Sequence, residues 1–124
     1  MTAENKDEIL IAEDDEPISK LISYKLQKEN LETSVVTEGD RVIPELKNGD
    51  YEALIMELML PVLDGISILN RIKKQDLEIP VLILSAKSQE KDIIKALNQG
   101  ADEYITKPFR PDELMLRLKR LLGD

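Results

Sequence analysis

Cysteine and histidine are absent from this 124-residue chain, and only Tyr24, Tyr51, Tyr104 and Phe109 are aromatic. Without cysteine or histidine there is no disulfide framework, no thiolate zinc site and no Cys/His nucleophile pair. Any chemistry here runs on carboxylates, hydroxyls, lysine and metal. No apolar run approaches the length of a membrane span, and Met1 to Lys6 is too polar for a signal peptide. The cytoplasm is therefore the expected setting, with no membrane among the expected partners. An excess of basic residues is also missing: 17 Lys and Arg stand against 25 Asp and Glu, a net charge of −8. That balance argues against non-specific nucleic-acid binding by this segment.

What remains is a globular composition, 42% hydrophobic and 34% charged, in a chain long enough for one core but not two. Apolar runs of strand length alternate with helical patterns. Strands are expected near 8–12, 33–36, 53–57, 81–84 and 103–106. The first, third and fourth are almost wholly apolar, as strands covered on both faces should be. The runs at 33–36 and 103–106 are more polar and suit sheet edges. Helices are expected near 17–29, 40–48, 65–75, 89–99 and 111–122. Their apolar stripes include Ile18, Leu21, Ile22 and Leu26, then Ile68, Leu69 and Ile72, then Leu114, Leu118 and Leu121. Pro17 and Pro111 fit first helical turns, and Gly49, Gly100 and Gly123 fit helix ends. Pro44 conflicts with a helix over 40–48, so that helix starts late or kinks. Five strands and five helices in alternation predict an α/β, doubly wound three-layer sandwich around a parallel sheet. The pattern leaves the strand order open.

Four of the expected strands end on polar groups of complementary kinds. Glu13, Asp14 and Asp15 follow the first, Glu57 ends the third, Ser85 and Ala86 follow the fourth, and Lys107 and Pro108 follow the fifth. Open parallel sheets place their ligand sites outside the carboxyl ends of their strands. Clustered carboxylates at ~4 Å repel by roughly 4 kcal/mol per pair at an effective dielectric of ~20. They therefore take up protons or bind a cation. Hard oxygen ligands favour Mg²⁺, which keeps waters and accepts phosphate oxygens. Lys107 supplies a point charge for a phosphoryl oxygen and Ser85 a hydroxyl donor. Each residue alone has a plainer reading: an acidic helix start, a surface carboxylate, a turn serine, a surface lysine. Their co-occurrence at four strand ends favours the site.

The stretches ILIAEDDEPI (9–18), LIMELMLPVLDG (54–65), PVLILSAKS (80–88) and GADEYITKPF (100–109) resemble, in order and spacing, the receiver domains of two-component response regulators. The resemblance spans essentially the whole chain, read as a single receiver domain over 1–124. It implies a five-stranded sheet of order 2-1-3-4-5, a flavodoxin-like receiver fold. It also implies phosphoryl transfer from a sensor histidine kinase or phosphotransfer protein, and Mg²⁺ as cofactor. The implied metal ligands are Asp14 directly, Glu13 through water, Glu57, and the backbone carbonyl of Met59. Ser85 matches the hydroxyl that contacts the phosphoryl group, and Ala86 the small residue beside the phosphate. Lys107 matches the site lysine, followed in the family by a cis bond to Pro108. Tyr104 matches the aromatic whose rotamer follows the switch; its plainer reading is an edge-strand tyrosine over the core.

One departure stands out: the family's phosphoacceptor is an aspartate, and this chain has Glu57 there. The added methylene moves the carboxylate by roughly 1 Å, a displacement that can slow a positioned reaction ~100-fold. Three consequences stay open. The substitution, natural or engineered, gives a phosphomimetic, phosphorylation-independent domain; it gives a dead site in a pseudo-receiver that works by protein contacts; or it leaves a slow acceptor. The first is favoured because Asp14 and Lys107 are retained.

The segment KPFRPDELMLRLKRLL resembles receivers that precede a winged-helix DNA-binding domain; the expectation is either a single-domain regulator or, favoured, an effector domain beyond Asp124, with contact to DNA only through it. The face built from 89–122 is implied as a homodimer or effector surface, with Glu103, Glu113 and Arg117 at matching charged positions. Ile93 departs, standing where a basic residue is common. Two other classes share the expected fold. A flavin carrier needs a Ser/Thr/Gly-rich phosphate loop where this chain has EDDEP, and an aspartyl-nucleophile phosphatase needs an Asp-x-Asp motif that Glu13–Glu16 does not supply. The expectation is a signalling module in transcription regulation and not a conventional enzyme.

Overall fold

The computed structural model describes residues 7–123. Strand β1 (Glu8–Ala12) leads to α1 (Glu16–Lys28), β2 (Glu32–Val36), a 3-10 turn (Gly39–Arg41), α2 (Val42–Asn48) and β3 (Ala53–Met56). Then follow α3 (Gly65–Lys74), β4 (Val81–Ser85), α4 (Glu90–Asn98), β5 (Glu103–Thr106) and α5 (Pro111–Leu121). All four strand pairings are parallel, in the order β2-β1-β3-β4-β5. The five-stranded sheet and its order are as expected, and the two polar runs are indeed the edges. Among the described residues no helix is long and apolar enough to cross a membrane.

Alternation along the buried strands divides the interior into two cores. Leu10, Leu54, Met56 and Ile83 face Val42, Ile68, Ile72 and Ala96 from α2, α3 and α4. Ile9, Ile11, Ile55, Leu82 and Leu84 face Ile22, Leu26, Leu114 and Leu118 from α1 and α5. Successive strand residues thus serve opposite faces, which explains the unbroken apolar runs.

The helix starts follow local chemistry. Asp15 caps α1 by accepting from the Ile18 N–H at 3.1 Å, so α1 begins at Glu16 with Pro17 in its first turn. Pro44 is the third residue of α2. There its missing N–H would have had no helical acceptor, so the expected conflict resolves as a late start after the 3-10 turn. Gly100 and Gly123 take φ +114° and +88° just past α4 and α5, a left-handed conformation that suits glycine at helix ends. Because the strands are parallel and nearly in register, the carboxyl ends of β1, β3, β4 and β5 open onto one edge of the sheet.

Candidate functional site

At that edge Lys107 reaches back from the end of β5 between two carboxylates. Its Nζ lies 2.7 Å from Glu13 Oε1 and 2.8 Å from Glu57 Oε1. Both acids are buried: Glu13 is 2% exposed and Glu57 4%. The pairing is what makes their burial tolerable, since isolated carboxylates in this position would take up protons. The second Glu57 oxygen, Oε2, accepts the Met59 N–H at 3.1 Å. Glu13 Oε2 likewise accepts the Asp15 N–H at 3.2 Å. Every carboxylate oxygen of the pair therefore has a donor.

The two acids feel this environment differently. Burial would raise Glu57, but hydrogen bonds from Lys107 and the Met59 N–H, with the nearby Ser85 hydroxyl, prevail and hold it below the ordinary 4.5. For Glu13 burial prevails over the same lysine and the Asp15 N–H, and its pKa lies above 4.5. Lys107 loses by burial but gains more from its bonds to Glu13 and Glu57, so its pKa is raised above 10.5. Lys107 is thus held as a cation and Glu57 as an anion.

Other expected residues fall around this core. Ser85 is buried at the end of β4; its Oγ accepts the Lys87 N–H at 3.2 Å and stands close enough to Glu57 to favour the charged carboxylate. Ala86, the next residue, is exposed. The Lys107–Pro108 peptide bond is cis. Tyr104 is half-buried against the α2–α4 core, and its hydroxyl donates to the Lys87 carbonyl at 2.5 Å, so it ties β5 to the loop after β4. Burial raises its pKa above 10.0, and the nearby Ser85 hydroxyl opposes this. Asp14 is exposed and stands outside the Lys107 network. Met59 is 48% exposed.

Glu13 and Asp14 follow β1 and Glu57 follows β3, and their hard oxygen donors are of the kind chemically suited to Mg²⁺. Their arrangement is another matter. Among the described residues no three acidic side chains converge as a metal cluster; Lys107 bridges Glu13 and Glu57, and Asp14 has no part in that bridge.

Sequence reasoning missed two features. Met59 enters through its N–H on Glu57, whereas the expectation concerned its carbonyl. Gly39 touches the loop behind Glu57, and a backbone contact of this kind leaves no signal in residue type.

On the 89–122 face, Arg117 lies within its own chain's reach of both expected acids, 2.6 Å from Glu103 and 3.2 Å from Glu113. Ile94 and Leu97 of α4 and Leu116 of α5 are exposed.

The chain and its fold have counterparts among known proteins. Residues 9–119 match the family described as response regulator receiver domain. The chain is 34% identical over 114 residues to the alkaline phosphatase synthesis transcriptional regulatory protein PhoP of Bacillus subtilis, covering 92% of this chain and 48% of that protein. The chain spans about half the length of the curated relatives it matches, which are transcriptional regulators. Among solved structures, the Francisella response regulator 1452 receiver domain superposes with a TM-score of 0.91 at 35% identity, covering 95% of this chain and 98% of that one. The receiver domain of the sensor histidine kinase PA1611 from Pseudomonas aeruginosa, described with magnesium coordinated in its active-site cleft, gives 0.88 at 30% identity, covering 97% and 100%. Fold and sequence agree: this chain belongs to the response regulator receiver domain family.

Proposed function

We propose that this domain, read as one unit over 1–124, is a receiver whose phosphoacceptor position is filled by Glu57 and which signals without being phosphorylated. One observation carries the reading: the Glu57 carboxylate is buried at the carboxyl edge of the sheet with Oε1 on Lys107 and Oε2 on the Met59 N–H. An attacking carboxylate must be aimed in line at phosphorus. Here each oxygen holds one hydrogen bond that fixes its direction, on a stem one methylene longer than aspartate, so the carboxylate is displaced from the position the reaction needs. The same carboxylate places fixed negative charge against Lys107, where a phosphoryl group's charge would fall, though with less charge than the −1.5 to −2 typical of a phosphate. Ser85 lends a hydroxyl at the same spot, and Ala86 beside it leaves room.

Glu13, Asp14, Glu57 and the Met59 carbonyl are the residues that would hold Mg²⁺, the ion named for the PA1611 receiver. When bound, such an ion neutralises charge between carboxylates and phosphoryl oxygens. Lys107 supplies part of that neutralisation from within the chain. The natural partners on this reading are a histidine kinase or phosphotransfer protein, as for receivers generally. The output is dimerisation through the 89–122 face or control of an effector domain, DNA-binding by analogy with the transcriptional regulators it resembles. The setting is cytoplasmic.

Light scattering on this chain and on Glu57→Asp, each with and without acetyl phosphate and Mg²⁺, tests the switch. The expected result is a self-association state in the Glu57 form that ignores the phosphodonor and is reached by Glu57→Asp only with it. Identical, donor-independent behaviour of both would overturn the mimic and favour the second reading, a pseudo-receiver working by contacts alone. The aloofness of Asp14 from the Lys107 network is the observation on that side.

A further inference from the structure

The loop between β3 and α3 carries Met59 to its place against Glu57, and it is held there in a conformation that its own residues disfavour. Val62 has φ +74°, a left-handed value that a β-branched residue seldom adopts. The Leu63 N–H donates back to the Pro61 carbonyl at 2.9 Å, closing a three-residue turn around it. The Val62 side chain is 69% exposed, so burial of that side chain does little to offset the conformation. The restraint comes from a different part of the chain.

Gly39 opens the 3-10 turn after β2 and is buried. Its N–H donates to the same Pro61 carbonyl at 2.9 Å. It packs so closely that a Cβ added there would stand 1.7 Å from the Leu63 carbonyl oxygen and 2.7 Å from its carbon. Glycine is required for space, against backbone atoms that cannot rotate away. At the other end of the loop the Gly65 N–H donates to the Leu58 carbonyl at 2.7 Å, and the Met59 N–H to Glu57 Oε2 at 3.1 Å. Gly39 thus holds the 61–63 turn, and only Leu60 separates that turn along the chain from Met59, whose N–H meets the carboxylate.

We propose that Gly39 is a positioning residue of the site, whose Cβ-free clasp on the 61–63 turn sets where the Met59 N–H stands against the side chain at position 57. It touches none of the reacting groups and acts only through the loop. The inference rests on the reading of position 57 as the functional centre, but the clasp can be tested without it.

Native-state amide exchange, followed by NMR, distinguishes a clasp from ordinary packing. Gly39→Ala is compared with Gly49→Ala, at the far end of α2, where a Cβ would meet the Tyr51 ring at 2.4 Å. The expected result is that Gly39→Ala speeds exchange at Met59, Leu63 and Gly65 by about tenfold more than at the distant amides of Ala101 and Asp102, while Gly49→Ala affects all of these alike. Equal acceleration at Met59 and Asp102 in Gly39→Ala would overturn the proposal. Should Gly39→Ala fail to fold, the unsubstituted protein decides. Gly39, Met59 and Leu63 then share one opening constant to within about twofold across a urea series, and independent constants overturn the clasp. Exchange needs neither phosphodonor nor Mg²⁺, so failure of the phosphoacceptor reading would leave this result standing, and the reverse.

Discussion

At the residue scale the chemistry turns on how one ammonium is divided between two buried acids. Lys107 stands 2.7 Å from Glu13 and 2.8 Å from Glu57, yet burial wins at Glu13 and hydrogen bonding wins at Glu57. The consequences for stability have opposite signs. Glu57, lowered below 4.5, contributes stability that is present above 4.5 and lost as pH falls through its folded value. Glu13, raised above 4.5, opposes folding when ionised, and that opposition disappears as pH falls through its folded value toward 4.5. Carboxyl ¹³C titration is expected to show Glu13 protonating first and Glu57 last; a shared midpoint or the reverse order would refute this division. Lys107→Met leaves two buried carboxylates without a cation and is expected to cost about 3 kcal/mol by urea unfolding at neutral pH. The loss should shrink in acid as the acids protonate. A cost under about 1 kcal/mol would mean that the pair is solvated.

At the scale of elements, much was legible in the residues. Unbroken apolar runs marked β1, β3 and β4 because each is buried on both faces, and the polar character of β2 and β5 marked the edges. The stripe Ile68, Leu69 and Ile72 turned inward as its spacing required, whereas Leu21, expected in the stripe of α1, is 44% exposed. Pro44 marked the late start of α2. The site was legible only as strand ends carrying suitable groups; that Lys107 would join Glu13 to Glu57 and leave Asp14 aside depends on tertiary distances. Gly39 and the Met59 N–H were invisible because backbone approach is not written in side-chain type. The entry to α3 makes a further case. Asp64 accepts from the Ile66 and Ser67 N–H groups at 3.1 and 3.3 Å and from the Ser67 hydroxyl at 2.6 Å. The Ser67 hydroxyl is the main reason its pKa lies below 3.8. Asp64→Ala is expected to lose about 1 kcal/mol at neutral pH. The difference should fade as pH drops through the folded value of Asp64, and a difference unchanged at pH ~2 would show that the carboxylate is not the cap.

For the whole molecule, the doubly wound sheet explains why residues as far apart as Glu13 and Lys107 meet. Parallel strands in near register send four chain segments to one edge, and two full cores fix their relative heights. Against that rigid frame a single methylene at position 57 is a large change. In this chain the Glu57 carboxylate meets Lys107 and the Met59 N–H together, and on the proposed reading it stands in for the group the family transfers. Ile94 and Leu97 on α4 and Leu116 on α5 are exposed apolar residues on the face proposed for output. The claim at the centre of this account is that the machinery is sound and Glu57 is the block. Intact mass after incubation with acetyl phosphate and Mg²⁺, on this chain beside Glu57→Asp, tests it most directly. The account predicts a phosphoryl adduct on Glu57→Asp alone. An adduct on the unsubstituted chain, or none on either, would contradict it.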